Sequence, residues 1–197
     1  MLNFWRCLIT GHPKRALRQA RYWLKLRNPQ ELLRLHIGCG QRRLPGFVNI
    51  DRNYSRATDY VGDASKLPCK SATVEQIETY HVIEHIPRPS VQHLLAEWFR
   101  VLKPGGNVVI ECPDFDQAVR EYFDGNEERL YSIYGRQRFP GDAHHWGYNA
   151  ERLRVLLESV GFTEVVQKEP RDYHKDSEPC LRIECVKPSP QGKNRVR

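Results

Sequence analysis

The sequence predicts an α/β domain: a mostly parallel sheet with helices on both faces and an antiparallel edge at its C-terminal end. Two observations carry this. From Leu32 onward, short apolar runs (LLRLHIG, FVNID, DYVG, VEQIETY, NVVIECP, EVVQK, LRIECV) alternate with helix-like stretches, and strands interleaved with helices pair in parallel because each crossover covers a face of the sheet. The last two runs lie close together with no helix between them, which suggests an antiparallel finish at the C-terminal edge.

Two helices are sharply bounded. VQHLLAEWFRVL is closed by Lys103-Pro104-Gly105-Gly106, and AERLRVLLESV ends at Gly161, where glycine supplies the left-handed residue that finishes a helix. A third helix, KRALRQARYWLKLR, puts Leu17, Ala20 and Leu24 on one face and Arg18, Arg21 and Lys25 on another, and stops at Asn28-Pro29. This divides the chain into a basic amphipathic N-terminal arm (1–30), the α/β domain (31–186) and a basic tail (187–197) expected to be disordered.

Of 197 residues, 40% are hydrophobic, enough for one ordinary core and too many for a disordered chain. No stretch nears the roughly 18 apolar residues of a membrane span. The net charge of +7 is local: residues 1–30 hold seven bases and no acid, leaving 24 bases and 24 acids beyond them. A neutral body offers no phosphate-binding groove, so no nucleic-acid partner is expected. The basic helix is expected to pack on the body with its charges outward, and an anionic membrane surface is its alternative partner. Six scattered cysteines without a CxxC, and an apolar start interrupted by Asn3 and Arg6, point to free thiols in a reducing, cytoplasmic setting, with peripheral contact at the inner membrane face the variant of that expectation.

In an open α/β sheet ligands bind beyond the carboxyl ends of the strands. After the first strand comes Gly38-Cys39-Gly40, where missing side chains let backbone N–H groups approach a ligand. Asp51 closes FVNID, placed to accept both hydroxyls of a ribose. Gly62-Asp63-Ala64 follows the third apolar run, with Asp63 able to accept from an exocyclic amine or simply to cap a turn. The fourth strand leads into HVIEHIP, from His81 to Pro87, and LLAEWFRVLKPGGNVVIECP runs from Leu94 to Pro113.

In this order LHIGCG, NID, GDASKLP, HVIEHI and FRVLKPGGNVVIECP resemble the class I S-adenosylmethionine-dependent methyltransferases, in particular the small bacterial branch known as methyltransferase type 11, over about residues 32–186. The resemblance implies a Rossmann-like fold and S-adenosylmethionine as cofactor. It puts Gly38, Cys39 and Gly40 along the methionine moiety, Asp51 at the ribose, Asp63 and Ala64 at the adenine, and His81 beside the transferred methyl. One departure stands out. Gly40 and Asp51 are eleven residues apart with Pro45 and Gly46 between them, too few for the usual first helix, which is therefore expected to be short or absent; the N-terminal helix is expected to cover the gap, with Arg42 or Arg43 near the cofactor carboxylate.

Methylation of a hydroxyl requires removal of a proton, work suited to histidine. The candidates are His81, His85 and, in the segment FPGDAHHWGYN before the last long helix, His144 and His145; the family places residues just ahead of that helix at the acceptor, which favours the last two as catalytic bases. The stretch from Asp114 to Tyr148 carries Tyr122, Phe123, Tyr131, Tyr134, Arg136, Arg138 and Phe139, suited to a polyhydroxylated acceptor or to a packed lid. The expected reaction is O-methylation of a carbohydrate or glycosylated small molecule; N- or C-methylation and a non-catalytic cofactor-binding protein are the alternatives. No metal is expected, since Asp114, Asp116, Asp142, His144 and His145 match no defined spacing. Base methylation lacks its Asn/Asp-Pro-Pro-aromatic signature after the fourth strand, and Cys112-Pro113 reads as a buried strand ending.

Overall fold

The computed structural model describes residues 13–189. Helix α1 (Pro13–Arg27) precedes β1 (Leu33–Ile37), β2 (Val48–Asp51), β3 (Tyr60–Val61) and β4 (Val74–Tyr80). A 3₁₀ turn (Ile83–His85) leads to α2 (Arg88–Val101) and β5 (Leu102–Pro113), followed by α3 (Phe115–Phe123), α4 (Arg129–Tyr134) and α5 (Ala150–Val160). The chain closes with β6 (Thr163–Lys168), a second 3₁₀ turn (Tyr173–Asp176) and β7 (Cys180–Val186).

The seven strands lie in the order β3-β2-β1-β4-β5-β7-β6. Strands β1 to β5 pair in parallel, and β7 is antiparallel to both its neighbours. The predicted architecture, antiparallel edge included, is the observed one. Its central strands are buried on both faces, as the continuous apolar runs require. Trp98 fills the layer between sheet and α2 and donates its indole N–H to the Ala64 carbonyl at 3.1 Å.

No helix joins β1 to β2, as the eleven-residue spacing implies. Helix α1 instead docks beside β3: Arg18 pairs with Asp59 at 2.8 Å, and the Gln19 amide exchanges hydrogen bonds with the Val61 carbonyl and N–H at 2.7 and 2.8 Å. The inward residues are thus Ala16, Gln19 and Leu26, while Leu17 and Leu24 stay 71% and 55% exposed. That reverses the face apolar periodicity suggests, because an edge strand needs hydrogen-bond partners more than it needs methyl groups. The first twelve residues of the basic arm and residues 190–197 of the tail lie outside the described residues. Lys187, where the tail was expected to begin, is pinned by hydrogen bonds to the Phe99 and Leu102 carbonyls. No helix among the described residues is long and apolar enough to cross a membrane.

Candidate active site

All parallel strands point their carboxyl ends at one edge, and β7, running the other way, begins there at Cys180. A surface hollow lined by Pro29 to Leu32, Ala72 and Thr73 lies at the opposite ends of β1 and β4; the chemistry-bearing residues gather at the first edge.

On one side of that edge is the glycine loop. Gly38 and Cys39 both donate N–H groups to the Ile50 carbonyl, at 2.8 and 3.1 Å. Gly38 sits at φ +73°, and a Cβ there would lie 2.0 Å from Val82 Cγ2, so only glycine lets the loop pass the segment after β4. Gly40, at φ +50°, faces open space. Its N–H donates to Asp51 Oδ2 at 2.8 Å, and Asn53 N–H donates to Oδ1 at 2.7 Å, which leaves one lone-pair site on each oxygen for a diol. Asp63 is exposed, with Oδ1 accepting from the Ser65 N–H and hydroxyl and Oδ2 left open. An open glycine and two carboxylates with spare acceptors fit an adenosine-bearing cofactor.

Behind this loop lies a buried frame. Asp59 accepts from Arg18, Arg43 and both nitrogens of Asn49; Asn49 Oδ1 in turn faces the His36 ring and the Leu44 N–H. The two loop arginines are engaged: Arg43 with Asp59, and Arg42 with Asp172.

The other side of the edge is assembled from three distant segments. His81 holds a left-handed φ of +53°, rare for a side-chain-bearing residue, and donates its N–H to the Glu111 carbonyl at 2.8 Å. Its ring lies 3.2 Å (Nδ1) from Glu84 Oε1, 3.7 Å (Nε2) from Cys180 Sγ and 3.9 Å, centroid to centroid, from the His174 ring. Burial works against a charged His81, but the Cys180 and Glu84 contacts outweigh it and hold its pKa above the ordinary value. Glu84, 2% exposed, is pulled down by His81 against its own burial; the two form an ion pair. Glu84 nonetheless has neither carboxylate oxygen in a hydrogen bond of good geometry.

The segment before α5 clamps onto the 3₁₀ turn at two points: His145 N–H donates to the Glu84 carbonyl at 2.7 Å, and His85 Nδ1 meets the Ala143 carbonyl at 3.0 Å. His144 Nδ1 meets the Ser132 carbonyl at 2.9 Å. A carbonyl accepts only, so both Nδ1 atoms carry their protons and both Nε2 atoms keep a free lone pair in the neutral ring. The two rings stand edge to face, 4.8 Å apart. Burial, with His85 adding to it, lowers the His144 pKa and keeps that ring neutral. The His145 side chain is exposed.

Buried Glu111 pairs with buried Arg182 and accepts from the Arg171 and Asp172 N–H groups. That fixes the segment carrying Asp172, whose carboxylate meets Nδ1 of the His174 ring. Of the acids considered as metal ligands, Asp114 caps α3, Asp116 bonds Asn149 and Arg152, and Asp142 is held by Arg138; they do not join His144. Sequence reasoning missed Glu84, Glu111, Asp59, His174 and Cys180. One signal was available: in HVIEH an acid stands between histidines three residues before it and one after.

Residues 45–110 match the family described as a methyltransferase domain. A probable S-adenosylmethionine-dependent methyltransferase of Mycolicibacterium smegmatis is 28% identical over 146 residues, 65% of this chain and 51% of that protein. An uncharacterized 37.1 kDa protein of a Streptomyces fradiae transposon is 35% identical over 72 residues, 36% of this chain and 20% of its own length. The chain thus spans about half or less of these two relatives. Among solved structures, S-adenosylmethionine-dependent methyltransferases of Methanosarcina mazei and Archaeoglobus fulgidus share the fold with TM-scores of 0.56 and 0.54, each at 17% identity, covering 83% and 88% of this chain and 96% and 94% of theirs. Strand order and glycine loop agree with these likenesses: over residues 45–110 the chain is similar to a methyltransferase domain, and its fold is that of the solved S-adenosylmethionine-dependent methyltransferases.

Proposed function

We propose that this protein methylates a hydroxyl of a carbohydrate or glycosylated small molecule. Gly38, Cys39 and Gly40 line the methionine part of the cofactor, Asp51 accepts from the ribose, Asp63 and Ala64 border the adenine, and His81 packs beside the methyl. The bound cofactor supplies an electrophilic methyl on a sulfonium. The chain's own residues hold the acceptor in line with it and dispose of the hydroxyl proton. The observation that carries the reading is His144: its Nδ1 is anchored to a carbonyl, its Nε2 is open and its ring is neutral. His145, exposed and with no side-chain hydrogen bond among the described residues, is the weaker of the two bases. Exposed rings nearby on α4 and the following segment, Tyr131, Tyr134, Phe139 and Trp146, suit stacking against sugar faces.

The test is turnover with S-adenosylmethionine on a panel of mono- and oligosaccharides and glycosides. On a responding acceptor, His144→Ala should lower kcat by about 10²- to 10⁴-fold with cofactor affinity unchanged, the usual cost of a lost general base. Near wild-type rates in that variant across pH 6 to 9 would remove His144 from the chemistry.

We further infer that the outward face of α1, with Leu17 and Leu24 exposed among Lys14, Arg21 and Lys25, rests on an anionic membrane surface. Leu17→Ser with Leu24→Ser should reduce sedimentation with phosphatidylserine vesicles and leave binding of S-adenosylhomocysteine intact. Equal sedimentation of wild type and variant would end this reading.

A further inference from the structure

We infer that Glu84, His85 and His144 form a binding site for one divalent transition-metal ion. Their ligand atoms all lie within 4.8 Å of one another. Glu84 is a carboxylate 2% exposed whose two oxygens have no hydrogen-bond partner, an arrangement that folded proteins avoid unless a charge compensates it. His81 supplies part of that charge from 3.2 Å on the Oε1 side, which leaves Oε2 for an ion.

The histidines are prepared as ligands. Each donates Nδ1–H to a backbone carbonyl, His85 to Ala143 and His144 to Ser132, and this outer contact fixes the tautomer that leaves the Nε2 lone pair for an ion. The clamp between His145 N–H and the Glu84 carbonyl ties the two segments that carry the ligands, so the trio belongs to one rigid unit. Two imidazoles and a carboxylate suit zinc, cobalt, manganese or iron(II); magnesium and calcium, which prefer oxygen, do not suit it. Three protein ligands leave coordination positions open.

Only the relevance of the site to catalysis rests on the proposed function. There, the ion would make a bound acceptor hydroxyl more acidic, so that its proton could pass to solvent water without the His144 Nε2 lone pair.

The experiment uses the full chain, stripped with a chelator, titrated with Co²⁺ and followed by its visible absorption, and with Zn²⁺ by calorimetry. One equivalent should bind with the spectrum of an imidazole-coordinated ion. His144→Ala and Glu84→Gln should each weaken binding by more than about 100-fold, beyond the loss typical of an outer contact, with unchanged far-ultraviolet circular dichroism; His144→Ala keeps the test decisive should Glu84→Gln fail to fold. Absence of stoichiometric binding, or equal binding in His144→Ala, would overturn the inference. So would loss in His174→Ala with retention in His144→Ala, which would move the ion to His81, His174 and Glu178. Ion binding without turnover on any acceptor would sink the proposed function and leave the site; turnover without ion binding would do the reverse.

Discussion

The ligand-facing contacts of the two halves of the active edge are built on different scales of sequence separation, although Arg42 and Asp172 tie the glycine loop to the acceptor half across 130 residues. In the cofactor half, Gly40 meets Asp51 eleven residues on, and Asp63 meets Ser65 two residues on. In the acceptor half, His85 meets Ala143 across 58 residues, Glu111 meets Arg182 across 71, and His81 meets Cys180 across 99. Short separations let a strand end and its turn carry their own geometry. Long ones make the geometry a property of the whole sheet, above all of β7, whose reversed direction brings Cys180 to the edge where the parallel strands finish.

If the acceptor half depends on the sheet in this way, its buried ion pair is the place to break it. Arg182→Ala strands Glu111 as an uncompensated buried charge and should cost about 3 to 5 kcal/mol in urea unfolding, with hydrogen exchange rising first around residues 169–179. A loss below about 1 kcal/mol would mean that the segment is held by something else.

The cofactor half should fail more narrowly. Asp51→Ala removes a charged acceptor for two hydroxyls and should weaken S-adenosylhomocysteine binding on the order of 100-fold in calorimetry, while unfolding free energy and exchange in the acceptor half stay as in the wild type. Undiminished affinity would displace the ribose from Asp51.

Acid sharpens the contrast further. Burial resists ionisation of Asp59, but Arg43, Arg18 and Asn49 overcome it and lower its pKa from 3.8 to about 2. A carboxyl whose folded pKa lies below its unfolded value stabilises the fold above the unfolded pKa and loses that contribution as pH falls through the folded one. About 2 kcal/mol should therefore disappear between about pH 4 and pH 2, with exchange rising at α1 and β3 before the acceptor half responds. Asp59→Asn should flatten that dependence; an unchanged acid profile in the variant would show that Asp59 does not carry it.

The same division explains what was readable from the residues alone. The mostly parallel sheet, the antiparallel finish and the absence of a first helix follow from apolar period and from Pro45-Gly46 in a short gap, whereas the order of the strands comes from the structure. The ends of β1, β2 and β3 stand where their local motifs indicated. The inward face of α1 was misjudged because Gln19 answers the hydrogen-bonding needs of an edge strand, a demand invisible to apolar periodicity. Glu84 and Glu111 were passed over because a carboxylate inside an apolar run reads as a solvent-facing position until a partner arrives from 71 residues away, as Arg182 does for Glu111.

The position of α1 also orders events during synthesis. Its docking partners Asp59 and Val61 follow Arg18 and Gln19 by 41 and 42 residues, so at about 5 to 20 residues per second the helix waits on the order of 2 to 8 seconds before they are made. The cofactor half is therefore sealed on its α1 side only when β3 has been laid down, before β4 and every later strand are made.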